Sequence, residues 1–154
     1  MRRYDKEIND PEVIREVLTN SRILRLGMID NDEAYIVPVN YAFENGLIYI
    51  HSASHGRKMD ILRSNNVVSF EIEYSEEIIT DEKPCEWSAK YRSVMGKGSI
   101  TVENDPARKK AGLDIIMKRY GASGELKYDE SSVSRMVLLI LKITSMTGKQ
   151  SGSW

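Results

Sequence analysis

Cysteine is almost missing from this chain: Cys85 stands alone in 154 residues. A single thiol excludes an internal disulfide and any metal cluster built from cysteines. Histidine is nearly as scarce, with only His51 and His55. They straddle a strand end rather than sharing a helix face, so no metal site is expected. No apolar run approaches the ~20 residues that span a bilayer. The start, Met1-Arg-Arg-Tyr-Asp-Lys-Glu7, lacks the apolar centre of a secretory signal. A cytoplasmic protein with no membrane partner is the expectation. An excess of one charge is also lacking: 22 basic residues face 23 acidic ones, for a net charge of −1. That argues against a dedicated nucleic-acid binder, which carries a basic stripe. Repeats and low-complexity stretches are absent too.

What is present reads as one domain over residues 1–154, long enough to bury its own core. Asp10-Pro11-Glu12 supplies a capping carboxylate, a proline for the first helical position and an acid for the first turn. Val13, Ile14, Val17 and Leu18 then share a face, predicting a helix over 10–19. The period next changes to that of strands at Ile23–Ile29, Ala34–Phe43 and Leu47–Ser52, the last two joined by the hairpin signal Glu44-Asn45-Gly46. A short helix is predicted over 57–64, burying Met59 and Leu62, and a strand over Val67–Tyr74. Residues 75–88, charged and irregular, read as a surface excursion in which Cys85 serves packing. Tyr91–Val102 is a fifth strand.

Asp105-Pro106 repeats the helix start and predicts a third helix over 105–120, with Leu113, Ile116, Met117 and Tyr120 buried. Arg108-Lys109-Lys110 would be its solvated face. A polar loop leads to a nearly unbroken apolar strand, Met136–Ile143, expected to be covered on both faces. Residues 145–154 read as a C-terminal tail. Antiparallel strands with few helices favour a closed or partly closed barrel, which removes edges. Six strands make a small barrel filled by its own side chains. A ligand would then sit outside it or at a contact between subunits.

The segment His51-Ser-Ala-Ser-His-Gly-Arg-Lys-Met-Asp60 joins a strand to a helix start. Such a junction leaves backbone N–H groups pointing outward. With Arg57 and Lys58 beside them, these donors suit a phosphate; an ordinary connection with solvated charges is the alternative.

Five short motifs then occur in a specific order: Ile36-Val-Pro-Val-Asn-Tyr41, His51-Ser52, Gly56-Arg57-Lys58, Tyr91-Arg-Ser-Val-Met-Gly96 and Thr147-Gly-Lys149. Together they resemble the FMN-binding split-barrel proteins related to pyridoxamine 5′-phosphate oxidase. Cys85-Glu-Trp87 followed by Tyr91-Arg92-Ser93-Val94 is similar to the nitroimidazole-resistance (Nim-type) branch. The resemblance covers about residues 2–150. It implies a mainly β (α+β) fold, a six-stranded antiparallel split barrel of Greek-key type with about three helices.

It further implies a homodimer with FMN at the subunit interface. Ser52, Arg57 and Lys58 match the family's phosphate-binding spacing, with Gly56 where the oxidases have serine and Ala53 inside the segment. Val39, Asn40 and Tyr41 would offer backbone to the flavin ring edge, although the two cations of the oxidase strand are missing. Arg92, Ser93 and Val94 would reach the flavin from the partner's fifth strand, and Lys149 from the tail. His51 is the candidate catalytic residue, near the ring or the substrate. The implied activity is reduction of a small molecule, nitroaromatic by the Nim-type resemblance, with a nicotinamide electron donor. A flavin-storing protein without turnover and a haem-binding barrel remain open alternatives.

Overall fold

The computed structural model describes residues 3–154. Both Asp-Pro pairs start helices. The Asp10 carboxylate accepts from the Glu12 N–H at 2.9 Å and opens α1 (Pro11–Asn20). Asp105 accepts from the Arg108 N–H at 2.9 Å and opens α3 (Pro106–Arg119). Between them lies α2 (Arg57–Ser64). A fourth helix, α4 (Glu130–Arg135), replaces part of the expected polar loop. Asp129 caps it through the Ser132 N–H at 2.8 Å, a start signal with too short an apolar stripe behind it to register in the sequence.

Eight strands form one antiparallel sheet: β1 (Glu7–Ile8), β2 (Ile23–Asp30), β3 (Glu33–Asn40), β4 (Ala42–Glu44), β5 (Leu47–Ala53), β6 (Val67–Ile79), β7 (Ser88–Glu103) and β8 (Met136–Ser151). Their order is β3-β2-β6-β7-β8-β5-β4, with β1 added beside β8. This mainly antiparallel architecture with a few helices is the expected one, but the count of six strands is corrected. The anticipated strand Ala34–Phe43 divides at Tyr41, because its two halves pair with different partners. β3 runs along β2, and β4 along β5. Tyr41 is fully buried, and its hydroxyl donates to the Leu18 carbonyl at 2.8 Å. The two ends of the hydrogen-bonded path are thus consecutive in the chain.

Two irregular segments are also corrected. The excursion 75–88 is the far end of a hairpin: β6 and β7 stay paired from Val67↔Ser99 to Ile79↔Ser88 through a bulge at Ser75/Glu77, and residues 80–87 close it. Backbone pairing tolerates charged side chains that face water on both sides of a ribbon. At its tip Cys85 is exposed rather than packed. Residues 145–151 of the expected tail continue β8, which β7 pairs on one edge (Ser93↔Lys149) and β1 on the other (Ile8↔Gly148). Polar composition concealed that double pairing.

The inner sheet face and the helices α1 and α2 enclose the main core. Leu24, Ile48, Ile50, Ile72, Leu139 and Leu141 are fully buried there, with Met59 and Leu62 from α2 and Val17 and Leu18 from α1. Each such side chain contributes about 1.5–3 kcal/mol of burial. A second cluster, Ala42, Ile116 and Leu138, forms where α3 covers the opposite face of β4, β5 and β8. β8 is therefore covered on both faces, as its apolar run predicts.

The buried face of α3 differs from expectation. Gly112 and Ile116 face inward, whereas Met117 and Tyr120 are 41% and 38% exposed. A side chain at position 112 would collide with Leu138, so glycine lets the helix settle onto β8. Lys109 is not on a solvated face. It is buried, with Nζ donating to the Val133 and Met136 carbonyls at 2.6 and 2.8 Å. The ammonium thereby caps the end of α4. No helix among the described residues is long and apolar enough to cross a membrane.

Candidate functional site

The junction of β5 with α2 is built from backbone constraints. Ser52 faces inward, and its hydroxyl donates to the neighbouring Ala53 carbonyl at 3.1 Å. Ser54 is tied on both sides: its N–H donates to Arg135 O at 3.4 Å, and its carbonyl accepts from Arg63 Nη2 at 2.9 Å. Gly56 then adopts φ +105° and ψ 169°, a region essentially open to glycine alone. The space beside Gly56 is open; the backbone, not crowding, demands glycine.

The Gly56 carbonyl receives the N–H groups of Met59 and Asp60 at 2.8 and 3.1 Å. The N–H groups of Arg57 and Lys58 lead the helix with no earlier turn to receive them. Lys58 is half-buried, and burial pushes its ammonium below the ordinary pKa of 10.5. Among the described residues it has no hydrogen-bond or ion-pair partner. Arg57 differs sharply. Its Nε donates to Asp30 Oδ2 at 2.8 Å, Nη2 lies 3.8 Å from Glu33, and the guanidinium sits 4.7 Å above the Tyr35 ring. The bond to Asp30 raises its pKa. His51 and His55 are both exposed, His51 on the face of β5 turned away from the main core.

Val39 is nearly buried beside Asn40 and Tyr41. The Asn40 amide and the Tyr41 N–H both donate to the Tyr120 hydroxyl, at 3.2 and 3.3 Å, which in turn donates to Arg22 O at 2.7 Å. Tyr120, assigned to the core by sequence, thus pins the bend between β3 and β4. The Tyr41 and Val94 side chains belong to the core, so those two positions offer only backbone to a ligand.

A second group lies where β7 meets the end of β8. Arg92 bonds Glu16 at 3.1 Å and Gln150 at 3.3 Å, and stacks 4.1 Å over the Trp154 ring. Ser93 is buried, and Lys149 approaches the Tyr91 ring at 5.5 Å. Within one chain the end of β5 and the second group stand at different levels along β8. His51 lies opposite Leu138 of β8 and Val94 opposite Gly148, about 33 Å of strand away at ~3.3 Å per residue.

Beside the second group, the outer face of β2, β3, β6, β7 and β8 holds a groove of about 570 Å³. Its lining includes the apolar Ile36, Met95 and Met146 and the charged Arg25, Glu71 and Lys97. Ile36, Met95 and Met146 are 66%, 47% and 41% exposed. Sequence reasoning missed this face. Its signal, apolar residues alternating out of phase with the core set, becomes readable only once the strand register is known.

A family model described as pyridoxamine 5′-phosphate oxidase matches residues 10–150. No curated protein matches the chain. Among solved structures, a provisionally named 5-nitroimidazole antibiotic resistance protein from Bacteroides thetaiotaomicron is 27% identical, with a TM-score of 0.83 over 93% of this chain and 85% of that one. A flavocytochrome from Azotobacter vinelandii is 18% identical at TM-score 0.87, covering 99% of this chain and 72% of the other. An FAD and haem binding protein from Mycobacterium smegmatis is also 18% identical at TM-score 0.87, covering 97% and 75%. At 18% identity these last two likenesses concern the fold alone.

Proposed function

The chain belongs to the pyridoxamine 5′-phosphate oxidase family, matched over residues 10–150, and on that premise we propose that it is an FMN-dependent oxidoreductase acting on a small acceptor. Lys58 carries the reading. A half-buried ammonium without a counter-charge, beside the leading N–H groups of a helix, is an arrangement that an anion completes. The FMN phosphate would accept from Lys58 and from the N–H groups of Arg57 and Lys58. Each charge-assisted bond contributes roughly 1.5–3 kcal/mol. Backbone of Val39, Asn40 and Tyr41 would border the ring, and the flavin, when bound, supplies the redox chemistry.

The displacement of the β5 end from the second group along β8 supports a homodimer, in which Arg92, Ser93 and Lys149 of one subunit approach the cofactor held by the other. The exposed apolar groove on the outer sheet face gives such a dimer a surface to bury. His51, exposed at the end of β5, is the residue proposed to exchange a proton with the acceptor. The relative named for 5-nitroimidazole resistance favours a nitroaromatic acceptor, with a nicotinamide as electron donor.

The test compares FMN with riboflavin, which lacks the phosphate. Lys58→Ala should weaken FMN by roughly 10–100-fold while changing riboflavin little. Equal loss for both ligands would remove the phosphate from α2. Oxidation of NADH or NADPH by the FMN-loaded protein with a nitroaromatic present tests turnover; its absence would leave a flavin carrier.

A further inference from the structure

Of the three cations on α2, two already have an anion. Arg63 bonds Asp60 at 3.0 Å and the Ser54 carbonyl at 2.9 Å. Arg57 is held at 2.8 Å by Asp30 and faces Glu33 at 3.8 Å, with its plane fixed over Tyr35. Lys58 is left as the side-chain cation there without a partner among the described residues. A site with one side-chain cation and two leading N–H groups matches a singly charged phosphate better than a doubly charged one.

Asp30 is the group that imposes this. Its carboxylate is only 25% exposed, so its grip on Arg57 is less screened than that of a fully solvated pair. It also adds negative potential, whose effect on an anion scales with that anion's charge. We propose that Asp30 is a specificity-determining residue: it withholds the Arg57 guanidinium from the phosphate site and so narrows the preference for the doubly charged phosphomonoester of FMN over phosphates of single charge, such as those of a pyrophosphate. The inference rests on the reading that α2 receives a flavin phosphate. A bound phosphomonoester dianion and Asp30 are then rivals for one guanidinium.

The experiment measures dissociation constants for FMN, FAD and riboflavin on the full chain and on Asp30→Asn. FAD stands for a phosphate of single charge, because the two charges of its pyrophosphate are divided between two phosphates. Comparing each ligand with itself across variants cancels any fit or misfit of the adenosine. The asparagine variant should bind FMN about tenfold more tightly, FAD with a smaller gain, and riboflavin unchanged. Adding Arg57→Met to Asp30→Asn should abolish the gain, which shows that the released guanidinium is its source. Asp30→Ala should act in the same direction and stands in if the asparagine variant folds poorly. Weaker or unchanged FMN binding in these variants would overturn the proposal and make Asp30 a support that aims Arg57. If the wild-type chain binds FMN no better than riboflavin, the phosphate reading itself is wrong, an outcome distinct from failure of the Asp30 assignment.

Discussion

Lys58 shows how a residue placed for binding costs stability when its ligand is away. Burial disfavours the ammonium, so its pKa in the fold lies below 10.5. Below that depressed pKa the charge is carried at a cost to the flavin-free fold. The cost fades as pH rises through the window between the folded pKa and 10.5. Replacing Lys58 with methionine should therefore raise the thermal midpoint of the flavin-free protein by a few degrees, read by calorimetry near neutral pH. Bound phosphate needs the ammonium, so the preference of the wild-type chain for FMN over riboflavin should start to fall as pH climbs past the depressed pKa of the flavin-free fold. His51 makes a separate claim at this scale. His51→Ala should keep FMN and the dimer but lower turnover by roughly a hundredfold, the low end for a general acid or base. His51→Gln retains a hydrogen-bonding group without titrating. Full turnover in that variant at every pH would make His51 a positioning group, and loss of FMN from both would make it a cofactor ligand.

Elements here are held by contacts that their own sequence does not announce. Lys109 sits in a basic run, yet its ammonium ties α4 to the first residue of β8 through two carbonyls. The same joint reaches the β5–α2 turn, because Arg135 O receives the Ser54 N–H. Lys109→Met preserves length and apolar stem but leaves both carbonyls short of a donor. The expected loss is about 1–3 kcal/mol, measured by denaturant unfolding. A loss near zero would mean that water replaces the ammonium at the α4 terminus. The second, independent sign of a loosened joint would be faster hydrogen exchange at Ser54 than in the core strands.

At the scale of the whole molecule, the outer sheet face and the divided site make one argument. Exposed Ile36, Met95 and Met146 line a groove next to the strand ends that carry Arg92 and Lys149. A second copy would cover that face and complete the cofactor's surroundings. The protein should run at twice its 17.6 kDa chain mass in size-exclusion chromatography with light scattering. Met95→Lys should shift it toward monomer and weaken FMN and riboflavin alike, since a lost partner deprives the whole cofactor of a wall. A monomer that binds FMN tightly would contradict the dimer and leave the phosphate assignment standing.

Local chemistry determined much of this protein in advance. Two Asp-Pro helix starts, the Asn45-Gly46 turn and the alternation of Leu24, Leu26, Ile48, Ile50, Phe70 and Ile72 mark helices, hairpin and core face, because capping, positive φ and period depend on neighbouring residues alone. The ordered motifs from Ile36 to Lys149 carried the family. Other features depend on residues distant in the chain. Tyr41 breaks a strand only because β2 and β5 claim its two sides, and Lys109 is buried only because α4 packs beneath it. Polar residues 145–151 become strand because β7 and β1 supply their backbone partners. Arg57 and Lys58 are adjacent cations of similar promise in the sequence. The fold alone brings Asp30 and Tyr35 to Arg57 and leaves Lys58 half-buried without an anion, because ion pairing is decided by what lies across space.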